Sequence, residues 1–154
     1  VTGVVGMAAA LRVATDTRTR TVARVRGLRD RLARGLLDTI DGVTESAAPG
    51  GVGDGAEASV GADSTKVAYS CHVRVAGVDQ EELLVLLDDE GVRASAGAAC
   101  ASGAVEPSHV LLAMGCSPGE ARTAIRLSLG YTTTGDEIDH VLAVVPKAVE
   151  RLRA

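Results

Sequence analysis

Three cysteines, Cys71, Cys100 and Cys116, are the side chains of this 154-residue chain best suited to covalent chemistry. Cys100 sits in the run Gly97-Ala98-Ala99-Cys100-Ala101-Ser102-Gly103-Ala104. Side chains this small bury too little area to pack, so the run reads as a mobile surface loop with an accessible thiol. Such a thiol attacks as its thiolate, and from an ordinary pKa of about 8.5 it is helped at neutral pH by a neighbouring base or cation. Cys71 lies on the apolar side of an alternating stretch and reads as a buried structural thiol. Cys116, beside Gly115, reads as an incidental turn residue. An odd number of cysteines without paired spacing argues against a disulfide framework and for a reducing, cytoplasmic setting.

Other combinations are weaker. His109, nine residues after Cys100, invites a Cys-His pair but stands at a helix start. A zinc site drawn from Cys71, His72, Cys100, His109 and Cys116 lacks the short paired spacing that zinc sites show. His72 falls on the face opposite Cys71 and reads as an ordinary, partly exposed histidine.

The elements that must position these groups follow from periodicity. Residues 1–16 read as a short connecting helix, with Val4, Val5, Ala8 and Leu11 on one side. From about Thr17, the residues Val22, Val25, Leu28, Leu32, Leu36 and Ile40 recur at helical steps and predict a long helix, which Gly27 and Gly35 weaken by roughly 1 kcal/mol each. Residues 41–66, rich in Gly, Ala, Ser and Asp, read as a flexible loop. Val67 to Val75 alternates as a strand with Val67, Tyr69, Cys71, Val73 and Val75 on one face. Asp79 opens a helix as a capping box with Glu82, and Gly91 closes it. Val92 to Ser95 is a short strand leading into the cysteine loop, residues 96–107. Ser108 caps a helix through Met114, and Ser117-Pro118 starts another turn. Thr123 to Leu129 is a strand with Ile125, Leu127 and Leu129 inward and Arg126 and Ser128 on the other face. Thr134 to Glu137 caps a last helix with Ile138, Val141, Leu142, Val145, Val149 and Leu152 as its buried stripe, and Pro146 falls inside it. Together these predict an α+β fold: a small, mostly antiparallel sheet with packed helices.

Composition sets outer limits. There is no Phe or Trp, and Tyr69 and Tyr131 are the two tyrosines, so one modest core must be built from Val, Leu and Ala. A net charge of −4 gives no reason to expect nucleic acid. The local run of Arg18, Arg20, Arg24, Arg26, Arg29, Arg31 and Arg34 points round a helix and reads as a solvated surface or an interface. No stretch approaches a membrane span, and the apolar start lacks a basic leader and a cleavage site, so no signal peptide is expected.

Three motifs in order carry a family resemblance. Ser95 to Ser102 around Cys100, then Glu106-Pro107-Ser108-His109-Val110-Leu111 with Ala113-Met114-Gly115, then Ile125-Arg126-Leu127-Ser128-Leu129-Gly130, resemble the C-terminal part of the cysteine desulfurases. These are pyridoxal-phosphate enzymes of the class V aminotransferase group, and the likeness is to the housekeeping iron-sulfur type. The resemblance implies the C-terminal domain of fold-type I pyridoxal-phosphate enzymes. It implies that Cys100 takes sulfur from L-cysteine as a persulfide, leaving L-alanine, and passes it to a sulfur acceptor or iron-sulfur scaffold protein. Cys100 would also serve as a transient ligand of a nascent iron-sulfur cluster. Arg126 matches the arginine that binds the substrate carboxylate, a task suited to the planar guanidinium fork; the alternative is an ion pair with Glu120 or Asp136. Family members are dimers, so a homodimer is implied for a full-length form.

The resemblance also implies what this chain lacks. The Schiff-base lysine and the other cofactor-holding residues belong to the family's large domain, and neither Lys66 nor Lys147 lies in a matching context. Pyridoxal phosphate is therefore expected on a domain absent here, and the first residue, Val1, fits a piece of a longer polypeptide. The alternative is a stand-alone sulfur carrier or interaction module that uses Cys100 without the cofactor.

Overall fold

The computed structural model describes residues 2–46, 67–96 and 107–154. The element order is α1 (Thr2–Thr39), β1 (Val43–Glu45), β2 (Ser70–Val75), α2 (Gln80–Asp89), β3 (Ser95–Ala96), α3 (His109–Ala113), α4 (Pro118–Ala121), β4 (Ala124–Ser128) and α5 (Gly135–Arg153). The four strands form one sheet in the order β1-β2-β4-β3. Every neighbouring pair is antiparallel, as the α+β reading expects.

One face of the sheet carries the main core. Cys71, Val73 and Val75 on β2 and Ile125 and Leu127 on β4 meet Val25, Leu32 and Leu36 of α1, Leu83 and Leu87 of α2, and Ile138, Val145 and Val149 of α5. Cys71 is fully buried there, as the alternation predicts. Aliphatic side chains, each of which contributes about 1.5–3 kcal/mol when fully buried, supply nearly all of this core. Val67 and Tyr69 precede β2 and are exposed, so the strand is shorter than expected.

The first two predicted helices are one. Helix α1 runs unbroken for 38 residues, about 57 Å at 1.5 Å per residue. The division expected near Thr17 is absent, and there Thr15 Oγ1 donates to the Leu11 carbonyl at 2.9 Å and Thr17 Oγ1 to that of Val13 at 2.8 Å. At 100° per residue Val4, Met7 and Leu11 fall within about 60° of the face on which Val25, Leu32 and Leu36 are buried. Yet they are 74%, 75% and 67% exposed.

The expected loop over residues 41–66 also needs correction at its start. Val43–Glu45 is an edge strand, with Val43, Thr44 and Glu45 registered on Val75, Arg74 and Val73; residues 47–66 lie outside the described residues. A buried ion pair ties this edge to α1. Arg29 Nη2 lies 2.8 Å from Glu45 Oε1, with the side chains 5% and 1% exposed, and Arg29 Nε donates to the Ser70 carbonyl at 3.2 Å.

Part of the arginine run is structural, while Arg18, Arg20, Arg26 and Arg34 are exposed as a solvated surface. Arg24 donates to the Tyr131 and Thr133 carbonyls, and Arg31 pairs with Asp139. Asp79 caps α2 by accepting from the Glu81 and Glu82 amides. Capping boxes open α4 at Ser117 and α5 at Thr134. Left-handed Gly91 (φ 75°) and Gly115 (φ 91°) follow α2 and α3. No helix among the described residues is long and apolar enough to cross a membrane.

Candidate functional site

The second face of the sheet is polar. Because side chains alternate along a strand, Ser70, His72 and Arg74 on β2 and Ala124, Arg126 and Ser128 on β4 point away from the core. Helices α3 and α4 cover one end of this face through a small cluster of Leu111, Cys116, Ala121 and Ala124. Their placement follows from local chemistry: Ser108 Oγ accepts from the Leu111 amide, and Glu120 closes the box on Ser117.

Arg74 locks that end. Its Nη1 lies 2.9 Å from Glu120 Oε1 and 3.6 Å from Cys116 Sγ. Cys116 is thus a buried residue facing a guanidinium rather than an incidental turn residue. Nothing local in the sequence could have signalled this contact, which joins residues 42 positions apart. Hydrogen bonds from the Ser117 side chain and backbone, with Arg74 beside it, hold the Glu120 carboxyl below its ordinary 4.5.

Arg126 lies one row further along, in the middle of β4 and half-buried. Its Cα partners are His72 on β2 and Ser95 on β3. The ion pair with Glu120 that sequence alone left open is not made, since Glu120 pairs with Arg74. Nor is one made with Asp136, and Arg126 Nε is buried without a hydrogen-bond partner among the described residues. His72 is half-buried too, with Nδ1 in the same condition. Burial first, then the Arg126 and Arg74 guanidinium groups, push His72 below its ordinary 6.5. Its ring is accordingly neutral at neutral pH. The sequence reading of an ordinary histidine missed this neighbourhood; the alternation of β2 and β4 was the available signal.

Cys100 lies outside the described residues. Four positions separate it from Ala96, which ends β3 in register with Ile125. His109 is exposed at the start of α3. No three His, Cys, Asp or Glu side chains among the described residues are grouped to hold a metal ion. A cavity of about 430 Å³, lined by Leu32, Val92, Leu127, Leu129 and Ile138 among others, includes neither Arg126 nor His72.

The aminotransferase class-V family matches residues 1–141. The chain belongs to that family. Among curated members it is 40% identical over 153 residues to the "IscS-like cysteine desulfurase" of Mycobacterium tuberculosis, covering 99% of this chain and 36% of that protein. It is 34% identical to the "Cysteine desulfurase" of Gluconacetobacter diazotrophicus, covering 99% and 35%. This class-V chain therefore spans about a third of the length of the relatives it matches, and it corresponds to their C-terminal part. In fold it is similar to a solved "NifS-like protein" at a TM-score of 0.72, with 23% identity over 97% of this chain and 33% of the other. A second, from Rickettsia africae, gives a TM-score of 0.69 at 22% identity over 94% and 33%.

The class-V family depends on pyridoxal phosphate. Among the described residues no buried lysine is present to hold that group: Lys147 is exposed on α5, and Lys66 lies outside the described residues. What the polar face offers instead is a cationic fork on a central strand, suited to a carboxylate.

Proposed function

We propose that this chain is the C-terminal portion of a cysteine desulfurase, working with pyridoxal phosphate held on a domain beyond these residues. In this reading Arg126 takes the carboxylate of L-cysteine. The Cys100 thiolate then attacks the substrate sulfur: the substrate's carbon–sulfur bond breaks, a sulfur–sulfur bond forms on Cys100, and L-alanine leaves with the proton that balances the exchange. The Cys100 persulfide next passes its outer sulfur to an acceptor or iron-sulfur scaffold protein, where Cys100 also ligates a nascent cluster transiently. The intact protein acts as a homodimer in the cytoplasm.

The observation that carries this reading is Arg126. A guanidinium on a central strand, on the face away from the core and without an acidic partner among the described residues, is suited to an incoming carboxylate. Its neighbour Ser95 lies on β3, the strand that leads toward Cys100. Four residues of extended chain span at most about 14 Å, so the tether is short. The relatives' printed activity and the family match support the same reading.

The test is made on the intact gene product. Cys100→Ser abolishes sulfide release and persulfide labelling, while L-cysteine still perturbs the cofactor's absorbance. Normal turnover in Cys100→Ser would remove Cys100 from the mechanism. Persulfide acceptance by Cys100 in a gene product that never takes up pyridoxal phosphate would establish a sulfur carrier instead.

A further inference from the structure

His72 and Arg126 are cross-strand partners on the polar face, a relationship that brings Cβ atoms to about 4.5–5.5 Å. Each side chain holds one buried atom with no hydrogen-bond partner among the described residues, Nδ1 of His72 and Nε of Arg126. The two are complementary. Arginine Nε–H can only donate, and the unprotonated nitrogen of a neutral imidazole can only accept. Buried polar groups left without a partner are costly, so a bond between these two atoms would remove both costs at once.

We infer that His72 is the positioning residue of Arg126: its Nδ1 accepts the Nε–H of Arg126 and fixes the guanidinium plane that presents the two Nη groups to a carboxylate. This rests on the reading of Arg126 as the carboxylate clamp. A free arginine side chain rotates about several bonds, and the two-point contact that distinguishes it from lysine requires the plane to be held. A ring nitrogen on the next strand, backed by β2, holds it from behind and leaves the outer edge open.

The role requires a neutral ring. Among the described residues the charged groups acting on His72 are Arg126 on β4 and Arg74 on β2. Glu120 of α4 is bound to Arg74, and Ser95 on β3 adds no charge. Both arginines and burial disfavour a proton on His72, so the acceptor is available at neutral pH and is lost as the ring protonates below 6.5.

Nitrogen-15 NMR of this chain tests the bond. The neutral His72 ring is expected to carry its proton on Nε2. The Arg126 Nε–H is expected to exchange with water at least about tenfold more slowly than that of exposed Arg151, as a bonded donor should. In His72→Asn, which keeps an acceptor oxygen close to the Nδ1 position, protection persists; in His72→Leu it is lost. A proton on Nδ1, or unchanged Arg126 Nε–H exchange in His72→Leu, would overturn the inference. Kinetics of the intact gene product supply the second readout. His72→Leu should raise KM for L-cysteine about tenfold with kcat within about threefold, and His72→Asn should recover most of it. An unchanged KM in His72→Leu also overturns the inference. An unchanged KM in Arg126→Ala removes the carboxylate clamp instead, while the NMR result still decides whether the bond exists.

Discussion

Helices α1 and α5 approach so closely that a Cβ added to Gly35 would lie 2.5 Å from Leu142 Cδ2 and 2.8 Å from its Cδ1. Gly35 is therefore a packing residue, and its low helix propensity is the cost of admitting a leucine from the neighbouring helix. Gly27, on the same helix, has nothing within 4 Å of the equivalent position. The two glycines should respond oppositely to one substitution. Gly27→Ala is expected to stabilise by up to about 1 kcal/mol through propensity alone. Gly35→Ala should lose about 1 kcal/mol net, overpacking of about 1–3 kcal/mol exceeding the same propensity gain. Urea unfolding measures both, and Leu142→Ala in the Gly35→Ala background should relieve the overpacking. A stabilised Gly35→Ala would show that Leu142 yields freely.

The Arg29–Glu45 pair, 5% and 1% exposed, predicts strong asymmetry between single and double substitutions. Arg29→Met takes the guanidinium away from a carboxylate that is 1% exposed and should cost up to about 3–5 kcal/mol, whereas Arg29→Met with Glu45→Leu should cost much less. Calorimetry on the three chains checks this, and additive losses would refute the coupling.

Acid should weaken the fold in two windows. His72 has its folded-state pKa below 6.5, so between that lowered value and 6.5 the unfolded chain binds more protons. Its contribution is intact above 6.5 and lost as pH falls through the folded-state value. Glu120, lowered from 4.5, contributes above 4.5 and loses that contribution as pH falls through its own lowered value; being exposed, its effect is small. Melting temperatures across pH 7 to 4 should decline first below 6.5, and His72→Asn should flatten that first decline. An unchanged profile would mean that His72 titrates alike in both states.

The thiols should separate by accessibility. Cys71 and Cys116 are 0% and 6% exposed, so an aromatic disulfide reagent should leave both unmodified in the folded chain and modify them in urea. If Cys100 acts as proposed, it is the thiol that reacts before denaturant is added, and Cys100→Ser abolishes the early phase. Rapid loss of the Cys116 thiol would contradict its burial against Arg74.

Arg126 gives the functional counterpart. Loss of a two-point, charge-assisted contact is worth about 1.5–3 kcal/mol, so Arg126→Ala in the intact gene product should impair use of L-cysteine roughly ten- to a hundredfold, with Lys restoring only part. Unchanged kinetics would assign Arg126 to structure alone.

The sequence made some of this legible because the relevant signals are local. Alternation separated Ile125 and Leu127 from Arg126, and the Ser117, Thr134 and Asp79 caps formed where side-chain oxygens precede helical runs. Signals that depend on distant partners were lost. Three residues of β1 exist by registering on Val73 to Val75, and no three-residue segment shows a period. The Arg74–Cys116 contact and the His72–Arg126 pairing are made by topology across 42 and 54 positions. The division expected near Thr17 fails for another reason: a threonine hydroxyl can compete with a helix or bond back to its carbonyls, and Thr15 and Thr17 do the latter.

Helix α1 is one element in geometry and two in energy. From Val25 onward its face is fastened to the sheet and α5, whereas residues 2–16 are exposed throughout and include Gly3 and Gly6. A segment of that length without tertiary support is close to its helix–coil midpoint in water. The N-terminal turns should therefore melt progressively as the chain is warmed, giving a sloping ellipticity baseline before the cooperative transition. Any surface that covers Val4, Met7 and Leu11 would convert that slope into added cooperativity.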